Sequence, residues 1–209
     1  MTSYVRKDRF YQKAKKEGYP SRSAYKLIEI NRRFGILKPG AKIVDLGSAP
    51  GGWLKVAEEK MKASKVEGQK SKGVQIVGID LLPLQYQPGK NVTFIPGDFT
   101  DPANQQKVYD ALEGKADWVL SDLSPNLSGI RFRDTGASAE LCDTALNFAS
   151  RVLRGGGGLV VKIFPGVELG EFKKKLKKNF SRVSTFIPEA TRKTSTEIYL
   201  VGSGFHPRG

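Results

Sequence analysis

Short apolar runs rich in β-branched residues alternate with amphipathic stretches along most of this chain. The runs cover 42–46, 74–79, 92–95, 117–121, 158–163, 183–187 and 196–201, each bounded by turn-forming residues, and they read as strands. The stretches 51–62, 102–113, 137–153 and 168–179 read as helices. In the third of these, Leu141, Ala145, Phe148 and Val152 recur at helical spacing and mark one apolar stripe. Strands that alternate with helices form βαβ units, and such units build a parallel sheet with helices on both faces. Only a loop, 188–195, separates the last two runs, so these are expected to pair as an antiparallel hairpin at one edge. A further helix is expected over 21–34, with Leu27, Ile30 and Phe34 buried. Lys26 lies about 80° around from that stripe, at the helix edge.

The expected fold class is therefore α/β. The 209 residues are read as one domain, a core over 41–205 preceded by a basic extension and helix over 1–40. Cys142 is the one cysteine and His206 the one histidine. An intrachain disulfide and a Cys/His zinc site are excluded on that count, no metal is expected, and with the lone histidine close to the C-terminus a Ser-His-Asp or Cys-His hydrolase is not expected. No apolar run is long enough to span a bilayer, and the N-terminus shows no apolar signal core, so a cytoplasmic protein is expected.

Charge is unevenly spread. The chain carries 35 Lys and Arg against 21 Asp and Glu, a net +14. Residues 1–40 hold 11 basic and 3 acidic side chains and residues 171–209 hold 9 and 3, while the middle is neutral. A neutral body between two basic flanks points to a catalytic core with a polyanion-binding surface, and RNA is the expected partner. Arg6, Lys7, Arg9, Lys13 and Arg22 are interleaved with Tyr4, Phe10, Tyr11 and Tyr19, which suits phosphate contact with base stacking. Lys173, Lys174, Lys175, Lys177 and Lys178 form a second basic run, equally readable as a solvated helix face. Arg192 and Lys193 lie just before Glu197 and are expected near the cleft.

Residues 45–53, Asp-Leu-Gly-Ser-Ala-Pro-Gly-Gly-Trp, join the first core strand to the first core helix. An open α/β sheet binds nucleotide-like ligands at such a junction. Gly47, Gly51 and Gly52 let backbone approach a ligand closely. Ser48-Ala49-Pro50 displaces the second glycine of the dinucleotide fingerprint, and Pro50 removes an amide donor, so the loop suits pyrophosphate poorly. A ligand with a ribose and an amino-acid tail, S-adenosylmethionine, is expected instead. Trp53 is expected to line that site or to pack beneath it. Asp80, Asp98 and Asp122 each follow a strand, and their carboxylates are expected on one rim, Asp80 toward ribose hydroxyls and Asp98 toward an adenine amino group. Lys162 lies inside an apolar strand and Glu197 in another. Charged residues seldom sit there without a partner or a task.

The chain resembles the FtsJ-type (RlmE-like) ribosomal RNA ribose 2′-O-methyltransferases. The likeness is carried by Ser23 to Leu27, Val44 to Trp53, Asp80 to Pro83, Gly97-Asp98-Phe99, Ser121-Asp122 with Pro125-Asn126 and Ser128-Gly129, Val161 to Phe164, and Glu197-Ile198-Tyr199. These pieces run in family order from about residue 21 to 205. The resemblance implies a Rossmann-like S-adenosylmethionine-dependent fold, a seven-stranded sheet with its last strand inserted antiparallel. It implies a catalytic tetrad of Lys26, Asp122, Lys162 and Glu197, and cofactor contacts from Gly51, Trp53, Asp80, Asp98 and Asp122. A uridine of large-subunit ribosomal RNA is the implied substrate, and a monomer is expected. Lys162 is the expected general base for the ribose hydroxyl. Free lysine titrates near ~10.4, so burial, Lys26 and a bound sulfonium must outweigh the two carboxylates. Asp122 is expected to orient Lys162, and Lys26 and Glu197 to align the ribose or base.

Other readings predict different things. Transfer RNA and cap ribose methyltransferases share the tetrad. A nicotinamide oxidoreductase would need the missing glycine and usually a core histidine. A non-enzymatic RNA assembly factor on this fold would have no need of an intact tetrad. The lysine-rich stretch 63–73 and the residues Thr191 to Ser195 depart from the bacterial pattern, which bears on the target nucleotide rather than on the chemistry.

Overall fold

The computed structural model describes residues 8–62, 76–192 and 194–207. Arg6, Lys7, Tyr4, Lys193 and the 63–73 stretch fall outside the described residues. The strands are β1 (Ile43–Leu46), β2 (Ile76–Asp80), β3 (Val92–Pro96), β4 (Ala116–Ser121), β5 (Leu153–Ile163), β6 (Phe180–Phe186) and β7 (Ile198–Phe205). They form one seven-stranded sheet in the order β3-β2-β1-β4-β5-β7-β6. Strands β1 to β5 pair in parallel, and β7 is antiparallel to both β5 and β6. The expected hairpin is thus present, with β7 inside the sheet and β6 at its edge.

Six helices are described: α1 (Arg9–Glu17), α2 (Ala24–Phe34), α3 (Gly52–Lys62), α4 (Pro102–Ala111), α5 (Arg131–Val152) and α6 (Leu169–Asn179). The sheet has two apolar faces because side chains alternate along each strand. Leu159, Val161 and Ile163 of β5 join the core under α4, α5 and α6, with Cys142, Phe148 and Phe172. Val160 of β5 joins the opposite core under α2 and α3, with Leu27, Ile30, Trp53 and Leu54. By the same alternation Lys162 belongs to the α2/α3 side, which is why a lysine of β5 can meet one of α2.

Several boundaries differ from the sequence expectation, and three of these differences bear on the site. The third expected helix begins six residues early, at Arg131, because its first turn is exposed and carries no apolar stripe. Strand β5 begins at Leu153 and runs through Gly155 to Gly158, where any side chain at Gly158 would collide with the Trp118 ring of β4. Glu197 lies just before β7, not within a strand. At the N-terminus, α1 is a separate helix, with the Asp8 carboxylate accepting from Tyr11 N and Gly18 in the left-handed conformation at its end.

Candidate active site

β1 lies between β2 and β4, and the chain's crossovers diverge at that point, so a crevice opens at the carboxyl ends of β1 and β4. Asp45, in β1, is 1% exposed, and neither carboxylate oxygen has a hydrogen-bond partner among the described residues. Burial, and then the charges of Asp122 and Asp80, push its pKa well above the ordinary aspartate value. A raised folded-state pKa means that the folded protein binds more protons than the unfolded chain. The stability linked to Asp45 is therefore present in acid and is lost as pH rises from its unfolded pKa through its folded one. We expect Asp45→Asn to unfold at higher urea than the parent at neutral pH, by about 1 kcal/mol, and the gap to close in acid. Equal urea midpoints at neutral pH would show that Asp45 is satisfied in a way the geometry does not reveal.

The loop after β1 is held by its neighbours. Gly47 N and Ser48 N donate to the Ile79 carbonyl, and Ala49 N donates to Asp80 Oδ2 at 2.9 Å. Leu82 N donates to Asp80 Oδ1 at 2.8 Å, so Asp80 organises two turns of the rim. Gly47 has φ +79° and Gly51 φ +109°, and a Cβ on Gly51 would meet the Tyr86 ring at 2.6 Å. Gly52 is placed differently. Its bare Cα faces Ser21, Ser23 and Ala24, which lets the start of α2 pack on the start of α3. Trp53 lies beneath the site. Its Nε1 donates to the Ser23 carbonyl at 2.9 Å and its ring centroid is 5.8 Å from that of Tyr199. Asp98 is exposed after β3 and accepts from Thr100 N at 2.8 Å and Thr100 Oγ1 at 2.7 Å.

Two ion pairs complete the rim. Lys162 Nζ donates to the Asp122 carbonyl at 2.7 Å and lies 3.2 Å from Asp122 Oδ1. Lys26 of α2 pairs with Glu197, both side chains being about nine-tenths buried. Tyr199 links the pairs. It stands opposite Lys162 in the β5–β7 register, so both project from one face. Its hydroxyl donates to Asp122 Oδ1 at 2.7 Å, and Lys26 Nζ lies 5.8 Å from the centre of its ring. Burial opposes ionisation of Asp122, yet the charges of Lys162 and then Lys26, with hydrogen bonds from Tyr199 and Lys162, hold its carboxyl below the ordinary value. Burial and the charges of Asp122 and Glu197 push the Tyr199 hydroxyl well up, so it stays a donor. Burial likewise pushes the Cys142 thiol up to about 12, and Cys142 Sγ donates to the Lys162 carbonyl at 3.1 Å behind the site. All four residues of the expected tetrad thus meet. Asp45 and Tyr199 join them; both lie in stretches that carry the resemblance, but neither is given a task by the sequence.

A cleft of about 630 Å³ opens beside Lys26 and Glu197, and Arg22, Arg131 and Arg192 are among its lining residues. Arg22 also donates to Asp8 and to the Ala190 carbonyl, fastening α1 and the 188–192 loop to the start of α2. The N-terminal aromatics pack on one another rather than standing free. Phe10 and Tyr19 stack around Tyr25, with centroids 5.5 and 5.9 Å away, and the Tyr19 hydroxyl donates to Glu59. Their apolar area is better used in this small core than in water, which removes Phe10 and Tyr19 from the expected stacking set. Arg9 and Lys13 are exposed on α1 with their cations near the Phe10 and Tyr25 rings. In α6, Lys174 pairs with Glu171 and Lys175 with Asp143, so part of that basic run is a solvated, self-paired face. Among the described residues no group of three or more His, Cys, Asp or Glu side chains is placed to hold a metal ion. No described helix is long and apolar enough to cross a membrane.

Comparison with known proteins places this geometry. The profile of the FtsJ-like methyltransferase family matches residues 19–205. The ribosomal RNA large subunit methyltransferase E of Methanothrix thermoacetophila is 44% identical over 94% of this chain and 72% of its own length. The protein of that name in Methanothermobacter thermautotrophicus is 40% identical over 96% of this chain and 90% of its own length. Among solved structures, a Plasmodium falciparum protein assigned as a ribosomal RNA methyltransferase superposes with a TM-score of 0.76 at 32% identity, covering 91% of this chain and 100% of that one. Aeropyrum pernix fibrillarin, solved with S-adenosyl-L-methionine bound, superposes with a TM-score of 0.54 at 17% identity over 86% of this chain, a likeness of fold alone.

Proposed function

The chain belongs to the FtsJ-like methyltransferase family, and from that premise we propose that it methylates the ribose 2′-hydroxyl of a uridine in large-subunit ribosomal RNA. S-adenosylmethionine is the methyl donor in this reading and supplies an activated methyl group on a sulfonium. The two linked ion pairs, Lys162–Asp122 and Lys26–Glu197, are the observation that carries it. The residues at the carboxyl end of β1 fit the donor. The partnerless carboxylate of Asp45 calls for a cation, which an amino-acid ammonium provides, while Gly47 and Gly51, both at positive φ, set the course of the loop beside it. Asp80 and Asp98 each retain lone pairs for a ribose and an adenine, Asp122 borders the same rim, and Trp53 and Gly52 support it from below.

Within this reading each side chain has a task. The Lys162 amine accepts the 2′-hydroxyl proton as the oxygen attacks. The Asp122 carboxylate and carbonyl receive the ammonium that forms, in the geometry already present. Tyr199 fixes the Asp122 carboxylate, and Lys26 with Glu197 aligns the ribose beside it. Holding the nucleophile in line supplies much of the rate. Arg22 and Arg192, together with Arg9, Lys13 and the expected Arg6, Lys7 and Lys193, are proposed to meet RNA phosphates. The protein is proposed to act as a cytoplasmic monomer.

Labelled-methyl transfer to ribosomal subunits, free ribosomal RNA and transfer RNA in parallel, with the product nucleotide mapped, tests the reading. Methyl groups on a base, or on transfer RNA alone, would overturn it. Salt separates the two binding events. If about three phosphates are neutralised, a fourfold rise in salt should weaken binding of single-stranded RNA by roughly 10- to 30-fold while leaving donor affinity nearly constant. Parallel losses in both titrations would contradict this division between a charged RNA cleft and a separate donor site.

A further inference from the structure

The first turn of α5 carries a large apolar side chain that the core does not use. Phe132 is 72% exposed, and Val167 across from it is 79% exposed. Between them runs a groove of about 560 Å³ lined by Arg131, Phe132, Thr135, Pro165, Gly166 and Val167. Arg131 and Thr135 also line the cleft that holds Lys26 and Glu197, so the groove continues that cleft outward. The turn is rigidly presented. The Asp134 carboxylate accepts from Ser128 N and Ser128 Oγ, each at 2.8 Å, and from Gly129 N at 3.2 Å, which pins the preceding loop to the helix.

Arg131 and Arg133 flank the ring, one to each side along the helix, and both are exposed. Neither forms an ion pair with any described residue, in contrast to Arg22 and Arg154, which are tied to Asp8 and Asp117. An aromatic face between two cations, at the mouth of a cleft, matches a splayed base with its adjoining phosphates. Any base offers a π-face to such a ring. A protein partner would also cover apolar surface, but it would leave two unpaired guanidinium groups needing carboxylates at fixed positions. A polyanion supplies a charge at every residue.

We infer that Phe132, with Arg131 and Arg133, forms a stacking subsite for a single-stranded RNA nucleotide next to the one that enters the Lys26–Glu197 cleft. The inference rests on the reading of this chain as an enzyme acting on RNA. The subsite holds the strand beside the target and so governs affinity.

The test is equilibrium binding of a short single-stranded RNA that carries 2-aminopurine, measured with the parent, Phe132→Ala and Phe132→Trp. The parent is expected to bind and quench the 2-aminopurine fluorescence. Phe132→Ala should raise Kd about tenfold, the loss of one base stack, and abolish the quench, while Phe132→Trp restores both. Donor affinity, measured on the same samples, reports an intact fold and should not move. If the parent does not bind RNA, the reading of the function fails and the subsite falls with it. If the parent binds and Phe132→Ala binds and quenches equally, the subsite alone is wrong. A loss seen only with intact ribosomal subunits, and not with free RNA, would assign the ring to a protein contact and overturn the inference.

Discussion

Replacing Lys162 with alanine is expected to lower the single-turnover rate of methyl transfer by about 10²- to 10⁴-fold, the range spanned by positioned acid–base groups. Lys162→Arg is the sharper variant. A guanidinium keeps the positive charge beside Asp122 but does not give up its proton in proteins. If Lys162 takes the hydroxyl proton, arginine should be as inactive as alanine while keeping more of the parent's stability. If the residue only stabilises charge, arginine should recover a large part of the rate. Donor binding by both variants is the control, since Lys162 touches the Asp122 carbonyl and carboxylate and its loss disturbs that corner. Near-normal single-turnover rates in Lys162→Arg would remove the base from the mechanism.

Asp122→Ala is expected to abolish measurable transfer and also to cost about 3 kcal/mol of stability. Breaking a buried pair strands the remaining charge. The carboxylate holds Lys162 on one side and the Tyr199 hydroxyl on the other, and neither has another carboxylate within hydrogen-bond reach among the described contacts. The pH dependence fixes the origin of the loss. The folded-state pKa of Asp122 is depressed, so its contribution is fully present above the unfolded value near ~3.9 and disappears as pH falls through the lower folded value. Urea titrations of parent and variant should therefore diverge at neutral pH and converge in strong acid. A gap that persists in acid would mean that packing, not the ion pairs, accounts for the cost.

Much of this was legible in the residues. Short apolar runs located every strand, because the central strands are buried on both faces, and the period of 3.6 located the buried helices, which bury one face and leave a record of it. The record is missing where burial is missing. The first turn of α5 faces solvent on every side, so the pattern begins only where the helix reaches the core, at about residue 137. The expected strand begins at 158, yet β5 already runs through Gly155 to Gly157, where glycines carry no side chain to record it. Lys162 stood out as a lysine inside an apolar strand, and the tetrad as a set came from the family resemblance. Asp45 did not stand out, although it is more deeply buried than any of them. Its position inside a glycine loop motif disguised it as part of a turn. Phe10 and Tyr19 misled for the opposite reason. Aromatic residues among lysines look like a stacking surface until three-dimensional packing shows Tyr25 between them.

The placing of β7 between β5 and β6 has a consequence for synthesis. Residues 26 and 199 must come together before the rim exists, and the strand bearing Tyr199 has to wedge between two strands that precede it in the chain. A nascent polypeptide that has reached only β5 holds Lys26, Asp122 and Lys162 but not Tyr199 or Glu197. If the proposed tetrad carries the reaction, methyl transfer is expected only from chains whose last strand has left the ribosome and seated.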